Sequence, residues 1–342
     1  MDLKYLVKEA RYYKKLNGFN RAFKKFIFSQ TFLKKLVNKP LFNKFYSRII
    51  KKKSKEISPT ILQIENTNLC NARCIMCPHS IMKRKGKVMS FEEFKKIIDQ
   101  VMKVYPIKII TITGFGEPFI DIGLMDKIEY INKKYPAIKI DLYTNGSLIT
   151  KKITEELLKR KIWKITFSIN GTKNSYKKIV GLNYSNTENK VLHFLKEKLI
   201  SSSQMLTNVS AMLLKDNQRE VKKFMEFWGE YSDSVRVYAP SNWAGALGNR
   251  NLVKLNTFKK KRWPCHFLWD KIAISAEGDV IVCCRDYESV SRFGNVFRKN
   301  IKQIFEGEKM SKLRKDHLNF KFNNPVCGKC DNSADSSLDW IL

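Results

Sequence analysis

Short apolar segments alternate with amphipathic helical patterns along the middle of the chain. Strands are predicted at residues 60–65, 107–113, 139–144, 163–169, 208–214 and 234–238. Helices are predicted between them, at residues 90–104, 124–134, 151–160, 188–199 and 218–230. Ser90 and Glu93 form a capping-box pattern at the start of the first helix. This alternation predicts an α/β fold with a parallel sheet and right-handed connections.

Six strand–helix units in residues 59–243 are enough for a sheet that curls into a partial barrel. Because the strands contain few polar residues, we expect both faces of the sheet to be covered. The Gly- and Cys-containing loops follow strands, and chemistry in such folds lies at the carboxyl ends of the strands. Residues 244–342 form a different, Cys-bearing module, and residues 1–58 a basic helical extension.

The chain of 342 residues has 65 Lys and Arg against 32 Asp and Glu, a formal net charge of +33. Residues 1–58 hold 17 basic and 3 acidic residues. A helical period groups the apolar residues of this segment into two faces: Phe19, Phe23 and Phe26; and Leu41, Phe42, Phe45, Tyr46, Ile49 and Ile50. Such helices suit an anionic membrane surface, or they pack on the main domain and leave a solvated basic face.

Nucleic acid is a less suitable partner, because the aromatic residues fall on apolar helix faces instead of being free to stack on bases. The chain starts without a signal-peptide pattern and has no apolar segment of membrane-spanning length. These features predict a cytoplasmic protein, with peripheral contact at the inner face of the membrane as an open option.

The eight cysteines occur in two groups. Cys70, Cys74 and Cys77 follow the first predicted strand with Cys-x3-Cys-x2-Cys spacing. Three thiolates are one too few for a [4Fe-4S] cluster, so one iron would stay free to bind another ligand. The alternative is a zinc site that uses His79 as its fourth ligand.

The loop from Cys70 to Pro78, with the sequence CNARCIMCP, resembles the cluster-binding motif of the radical S-adenosylmethionine (SAM) superfamily. Three further motifs of that superfamily follow in the same order: Gly114-Phe115-Gly116-Glu117-Pro118, Thr144-Asn145-Gly146 and Ser168-Ile169-Asn170-Gly171. The resemblance implies that SAM is contacted by Gly114, Gly116, Glu117, Asn145, Ser168 and Asn170. Asn170 stands where the superfamily more often has Asp.

The resemblance implies a TIM-like partial (β/α)6 barrel with two cofactors at its mouth. Cys70, Cys74 and Cys77 would hold a [4Fe-4S] cluster whose open iron binds the amino and carboxylate groups of SAM. An electron from a reducing partner such as flavodoxin or ferredoxin would cleave SAM to methionine and a 5′-deoxyadenosyl radical. That radical removes hydrogen from unactivated carbon.

The second group of cysteines has the pattern Cys265-x12-Gly278-x4-Cys283 followed by Cys327-x2-Cys330. Four thiolates suit a fully ligated [4Fe-4S] cluster or a structural zinc. The pattern resembles the SPASM/twitch domains that follow radical SAM barrels, and it implies one auxiliary cluster, as in the shorter twitch type. Cys284 is the alternative to Cys283 as a ligand.

The function that this resemblance implies is oxidation or epimerisation of a sugar, an aminocyclitol or a lipid-linked carbohydrate. The alternatives are a maturase of a peptide and an RNA-binding or RNA-modifying iron–sulfur protein. The catalytic acid and base remain unassigned. Strand order alone places Glu117, Arg236, Tyr238 and Arg250 near the expected rim of the cavity.

Overall fold

The computed structural model describes residues 40–84, 86–247 and 262–330. The strands are β1 (Ile61–Ile64), β2 (Ile109–Ile112), β3 (Lys139–Thr144), β4 (Lys164–Ser168), β5 (Leu206–Met212), β6 (Ser234–Tyr238), β7 (Lys271–Ile274), β8 (Asp279–Ile281) and β9 (Arg292–Asn295). The first helices are α1 (Pro40–Lys53), α2 (Phe91–Val104), α3 (Leu124–Lys134), α4 (Lys151–Leu158), α5 (Tyr176–Val180) and α6 (Tyr184–Ile200). The later ones are α7 (Val221–Tyr231), α8 (Phe267–Asp270), α9 (Ile301–Phe305), α10 (Glu308–Leu318) and α11 (Pro325–Lys329). Short 3-10 helices occur at Pro78–Ile81 and Pro118–Ile120.

The nine strands of the described residues form one sheet in the order β6-β5-β4-β3-β2-β1-β7-β8-β9. Strands β1 to β6 are parallel and lie in chain order, as in a sheet that curls into a barrel. The predicted α/β fold with a partial (β/α)6 barrel is confirmed. Parallel strands point their carboxyl ends to one edge, so the loops after β1 to β4 meet there.

The helix boundaries follow from local capping. The Ser90 side chain accepts a hydrogen bond from the backbone N–H of Glu93, and the Glu93 carboxylate accepts one from the N–H of Ser90, which confirms the capping box of α2. Helix α6 begins four residues before its predicted start of 188, because Asn183 caps it by accepting from the N–H of Asn186. Strand β5 lies two residues before its predicted position.

Both faces of the sheet are covered, as expected, but only one of them is apolar. The outward residues, such as Leu62, Ile110 and Ile140, pack with the helices in one hydrophobic core. The opposite face, which lines the interior of the partial barrel, is buried but polar: Gln63, Thr111, Asp141, Thr166, Asn208 and Ser210. The strands therefore alternate with period two, and β1 and β2 are so short that this period is hard to recognise in the sequence.

The Cys-bearing module adds strands to the barrel sheet. Strand β7 pairs in parallel with β1, with Ile274 opposite Ile64, and β8 and β9 continue the sheet in antiparallel pairs. The pairing of these strands with the barrel sheet is hard to predict from the sequence, because the strand–helix alternation ends after Trp243. The shared sheet fixes the second group of cysteines relative to the first.

Helix α1 is the described part of the basic extension. Ile50, predicted on an apolar face, is buried in the main core, and the N–H of the Trp269 ring donates to the carbonyl of Ser54 at 3.1 Å. The end of α1 therefore packs on protein. The predicted face of Phe19, Phe23 and Phe26 lies outside the described residues. Within the described residues, no helix is long and apolar enough to cross a membrane.

Candidate active site

The first three cysteines lie in a loop between β1 and the 3-10 helix Pro78–Ile81. Backbone hydrogen bonds of 2.9 Å from Arg73 to Val180 and from Ile75 to Ile179 anchor this loop on α5. Burial raises the pKa of all three thiols, that of Cys77 to about 11. The charges of Cys77 and Cys70 further raise the pKa of Cys74.

These thiols fit an iron–sulfur cluster. Buried thiolates are costly without a nearby cation, and a cluster supplies that charge. Within the described residues, no group of three or more His, Cys, Asp or Glu side chains converges on a single ion position. A [4Fe-4S] cluster binds each thiolate to a different iron and needs no such convergence. His79 directs Nε2 to the carbonyl of Asn68 at 3.0 Å.

The glycines of the loop after β2 lie against the first loop with no space for a side chain. A Cβ on Gly116 would lie 2.2 Å from the carbonyl oxygen of Thr67, and one on Gly114 would lie 2.4 Å from Cγ of Glu65. The N–H of Glu117 donates to the carbonyl of Leu69 at 2.8 Å. The two loops therefore form one closely packed edge, where backbone groups are available to a cofactor.

We expect Gly116→Ala to lower the rate of reductive SAM cleavage on the order of 100-fold, because the new Cβ meets backbone and must displace the cysteine loop. The matched control is Gly229→Ala. Gly229 lies in α7, and a Cβ added there would have nothing within 4 Å, so this change should stabilise the helix by about 0.5–1 kcal/mol and leave cleavage unchanged. Formation of 5′-deoxyadenosine measures both variants, and equal rates for the two would contradict the close-packing argument.

Glu117, which strand order placed near the expected rim of the cavity, is buried, with 2% of the residue exposed. Its carboxylate accepts hydrogen bonds from the Thr144 hydroxyl at 2.6 Å and the Asn145 N–H at 2.7 Å. Burial raises the pKa of Glu117 to about 7, although these hydrogen bonds oppose the rise. Glu117 therefore joins the loop after β2 to the loop after β3.

Asn145 connects the loop after β3 to the cysteine loop. Its Nδ2 donates to Oδ1 of Asn71 at 2.9 Å, and Asn71 in turn donates to the Ser147 hydroxyl at 2.9 Å. The Asn145 Oδ1 accepts from the N–H and hydroxyl of Ser147. The structure thus brings Asn145, Glu117, Gly116 and the cysteine loop together.

Ser168 and Asn170 lie farther along the same edge, at the end of β4. Asn170 is buried, and its Oδ1 accepts from the N–H of Met212 at 2.8 Å, which ties the ends of β4 and β5 together. Ser168 is half-buried and pairs with Ser210 in the register of the sheet. Their predicted contact with the ribose of SAM stays a prediction. Of the residues named for the rim, Arg236 and Tyr238 lie on β6, and Arg250 is outside the described residues.

A buried ion pair that motif analysis missed supports the glycine loop. Glu65, at the end of β1, accepts from the N–H of Phe115 at 2.9 Å and of Ala276 at 3.0 Å. Arg84 forms salt bridges with Glu65 at 2.9 Å and Glu277 at 2.8 Å. Burial lowers the pKa of Arg84, but its hydrogen bonds and proximity to these carboxylates outweigh that effect and raise it. Arg84 and Glu65 therefore link the cysteine segment, the glycine loop and the second module.

An aromatic group connects the two modules on the same edge. The Phe115 ring packs edge-on against Trp243 at 5.6 Å and Tyr287 at 6.2 Å. The N–H of the Trp243 ring donates to the carbonyl of Met76 at 2.7 Å. Trp243, in the chain segment after β6, therefore contacts the cysteine loop. No short sequence motif predicts this contact.

The second group of cysteines surrounds a cavity that is partly open to solvent. Its sulfur-bearing residues are Cys265, Cys283, Cys284, Cys327 and Cys330. Asn324 caps α11 by accepting from the N–H of Val326 and of Cys327, which fixes the last pair of cysteines at the two ends of one helical turn. Burial raises the pKa of Cys265 and Cys327 to about 12.

Cys283 and Cys284 both line the cavity. Either of them can therefore be the fourth ligand, together with Cys265, Cys327 and Cys330. A hydrogen bond between their thiols raises the pKa of Cys283, and it is the main cause that lowers the pKa of Cys284. Five cysteines around one cavity suit an iron–sulfur cluster, which needs thiolate ligands. The donor set therefore fits the auxiliary cluster.

Two family profiles and several known proteins match this chain. The radical SAM superfamily profile matches residues 64–227, and the SPASM iron–sulfur cluster-binding domain matches residues 265–331. The tungsten-containing aldehyde ferredoxin oxidoreductase cofactor-modifying protein of Pyrococcus furiosus is 23% identical over 79% of this chain and 86% of its own length. The GTP 3′,8-cyclase of Clostridium botulinum is 28% identical, but the match spans only 51% of this chain and 54% of the cyclase.

Solved structures share the fold. SuiB of Streptococcus suis, bound to its precursor peptide SuiA, superposes with a TM-score of 0.64 and 16% identity over 94% of this chain and 86% of SuiB. BtrN in complex with AdoMet and 2-DOIA superposes with a TM-score of 0.56 and 18% identity over 81% of this chain and 94% of BtrN. The cofactors are thus SAM, a SAM-binding [4Fe-4S] cluster and an auxiliary cluster. The chain belongs to the radical SAM superfamily and carries a C-terminal SPASM iron–sulfur cluster-binding domain.

Proposed function

We propose that this radical SAM enzyme oxidises a carbinol carbon of a small polar substrate, such as a sugar or an aminocyclitol. The observation that carries the proposal is the second cysteine group, which offers at least four thiolates to one cavity. A cluster with four thiolate ligands has no open iron for a substrate, so electron transfer is the role it suits. When bound, SAM and its cluster supply a hydrogen-abstracting radical, and the auxiliary cluster supplies an acceptor for the electron left on the substrate.

The polar interior of the partial barrel supports a hydroxylated substrate. Thr166, Asn208 and Ser210 face this interior from β4 and β5 and offer hydroxyl and amide groups below the SAM edge. Oxidation of a carbinol removes one hydrogen atom from carbon, one proton from oxygen and one further electron. The product of these three losses is a ketone or an aldehyde. The site therefore also has to accept the proton of the hydroxyl group.

Deuterium transfer tests the proposal. The full chain, reconstituted without oxygen, is incubated with SAM, a reductant and candidate sugars or aminocyclitols that carry deuterium at each carbinol carbon in turn. Oxidation would be supported by two results. Deuterium appears in 5′-deoxyadenosine, and unlabelled substrate gives a product two mass units lighter than itself. Deuterium transfer with a product of unchanged mass would indicate epimerisation, and no transfer from any carbohydrate would contradict the proposal.

Peptide modification is the second candidate, and similarity to SuiB over 94% of this chain favours it. The same assay separates the two: a candidate peptide, in place of the sugar, would show crosslinking or oxidation by mass spectrometry. Lipid-linked carbohydrate remains a further option within the first proposal, and its main support, the basic segment 1–58, lies mostly outside the described residues.

We expect two [4Fe-4S] clusters per chain, because the cysteines divide into a group of three and a group around one cavity. Anaerobic reconstitution should give about eight iron and about eight sulfide per chain. Stoichiometric zinc in place of the second half of the iron would contradict the electron-acceptor role.

A further inference from the structure

His317 is a buried histidine that the proposed chemistry does not yet use. It lies in the last turn of α10, is 1% exposed and lines the cavity of the second cysteine group. The Phe322 ring packs edge-on against it, with the ring centroids 4.9 Å apart. The imidazole is thus held in one orientation next to the auxiliary cluster site.

The hydrogen bonding of the ring defines its tautomer. The backbone N–H of Cys265 donates to Nδ1 of His317 at 3.2 Å. A nitrogen that accepts a hydrogen bond carries no proton, so the proton of this imidazole is on Nε2. Nε2 is enclosed and has no hydrogen-bond partner among the described residues.

An enclosed N–H without a partner is costly, and native proteins rarely keep one. The cavity that His317 lines is where the auxiliary cluster belongs, and cluster sulfurs accept hydrogen bonds. We propose that Nε2 of His317 donates a hydrogen bond to a sulfur of the auxiliary cluster or of one of its thiolates. His317 is then a positioning residue that raises the reduction potential of that cluster.

The direction of the change in reduction potential follows from the charge of the cluster. Reduction adds an electron to the cluster and makes its sulfurs more negative, so a hydrogen-bond donor stabilises the reduced form more than the oxidised form. A higher potential favours uptake of the electron from substrate. The inference depends on the auxiliary cluster and not on the identity of the substrate, and its test needs no substrate.

Two substitutions at His317 distinguish the acceptor role of Nδ1 from the donor role of Nε2. His317→Asn places an amide oxygen near the position of Nδ1, so it keeps an acceptor for Cys265 and loses the donor. His317→Gln reaches the position of Nε2 with an amide N–H, so it keeps the donor and loses the acceptor. His266→Gln is the matched control, because His266 also adjoins Cys265 but does not line the cavity.

Redox titration of the reconstituted full chain, followed by electron paramagnetic resonance, gives the potentials. SAM perturbs the signal of the cluster that it binds, so the unperturbed signal belongs to the auxiliary cluster. We expect a shift to more negative potential for His317→Asn, and potentials close to that of the unchanged chain for His317→Gln and His266→Gln. The proposal would be overturned if the reduction potential of His317→Asn did not shift, or if it shifted more in His317→Gln than in His317→Asn.

A measurement on the unchanged sequence covers the case in which the His317 variants lose the cluster. Protein labelled with ¹⁵N-histidine should show a ¹⁵N coupling in pulsed spectra of the reduced auxiliary cluster. The coupling should persist in His266→Gln, which assigns it to His317. Absence of any histidine coupling, or its loss in His266→Gln, would refute the hydrogen bond.

Discussion

Replacement of Cys70, Cys74 and Cys77 by alanine is expected to abolish reductive cleavage of SAM. These three side chains are the only thiols of the loop after β1, and a [4Fe-4S] cluster held by them would keep one iron open for the amino and carboxylate groups of SAM. Loss of all three removes that cluster, and 5′-deoxyadenosine formation should fall to the level without enzyme.

The matched variant is Cys327→Ala with Cys330→Ala. Cys327 lies within α11, Cys330 directly follows that helix, and both line the second cavity. We expect this variant to keep part of its SAM cleavage and to lose oxidised product. Liquid chromatography of 5′-deoxyadenosine and mass spectrometry of the product measure the two steps separately. Normal product from the Cys327/Cys330 variant would refute the division between the two clusters.

The sequence predicts those parts of the site that depend on neighbouring residues in the chain. The spacing of Cys70, Cys74 and Cys77 is local, and so is the capping box of Ser90 and Glu93, so both are recognisable without a structure. Helix α3 and strand β3 also agree with their predicted ends, because strong periodicity and turn residues mark them.

Long-range contacts could not be predicted in the same way. Arg84 lies 19 residues from Glu65 and 193 residues from Glu277, and no motif relates the three. Strand β7 has four residues, too few to show a period, yet it joins the two modules through β1. The polar barrel interior was missed because β1 and β2 each present only two residues to it.

The salt bridges of Arg84 are expected to contribute strongly to stability. The side chains of Arg84 and Glu65 are each 5% exposed, so Arg84→Met leaves a buried carboxylate without its counter-charge. Removal of one partner from a buried pair costs about 3–5 kcal/mol, whereas loss of an exposed pair costs about 0–1 kcal/mol. Lys87→Met is the matched control, because Lys87 pairs with Glu93 at side-chain exposures of 32% and 30%.

Urea unfolding without oxygen measures both variants, and a similar midpoint for Arg84→Met and Lys87→Met would contradict this prediction. The double variant Arg84→Met with Glu65→Gln should recover part of the lost stability, because it removes the unpaired charge. The double variant should still bind SAM more weakly than the unchanged chain. Both oxygens of Glu65 accept backbone N–H groups, from Phe115 and Ala276, and glutamine offers only one such oxygen. Stability and SAM affinity should therefore separate in the double variant, because the charge of Glu65 balances Arg84 while its two oxygens hold the glycine loop against the second module.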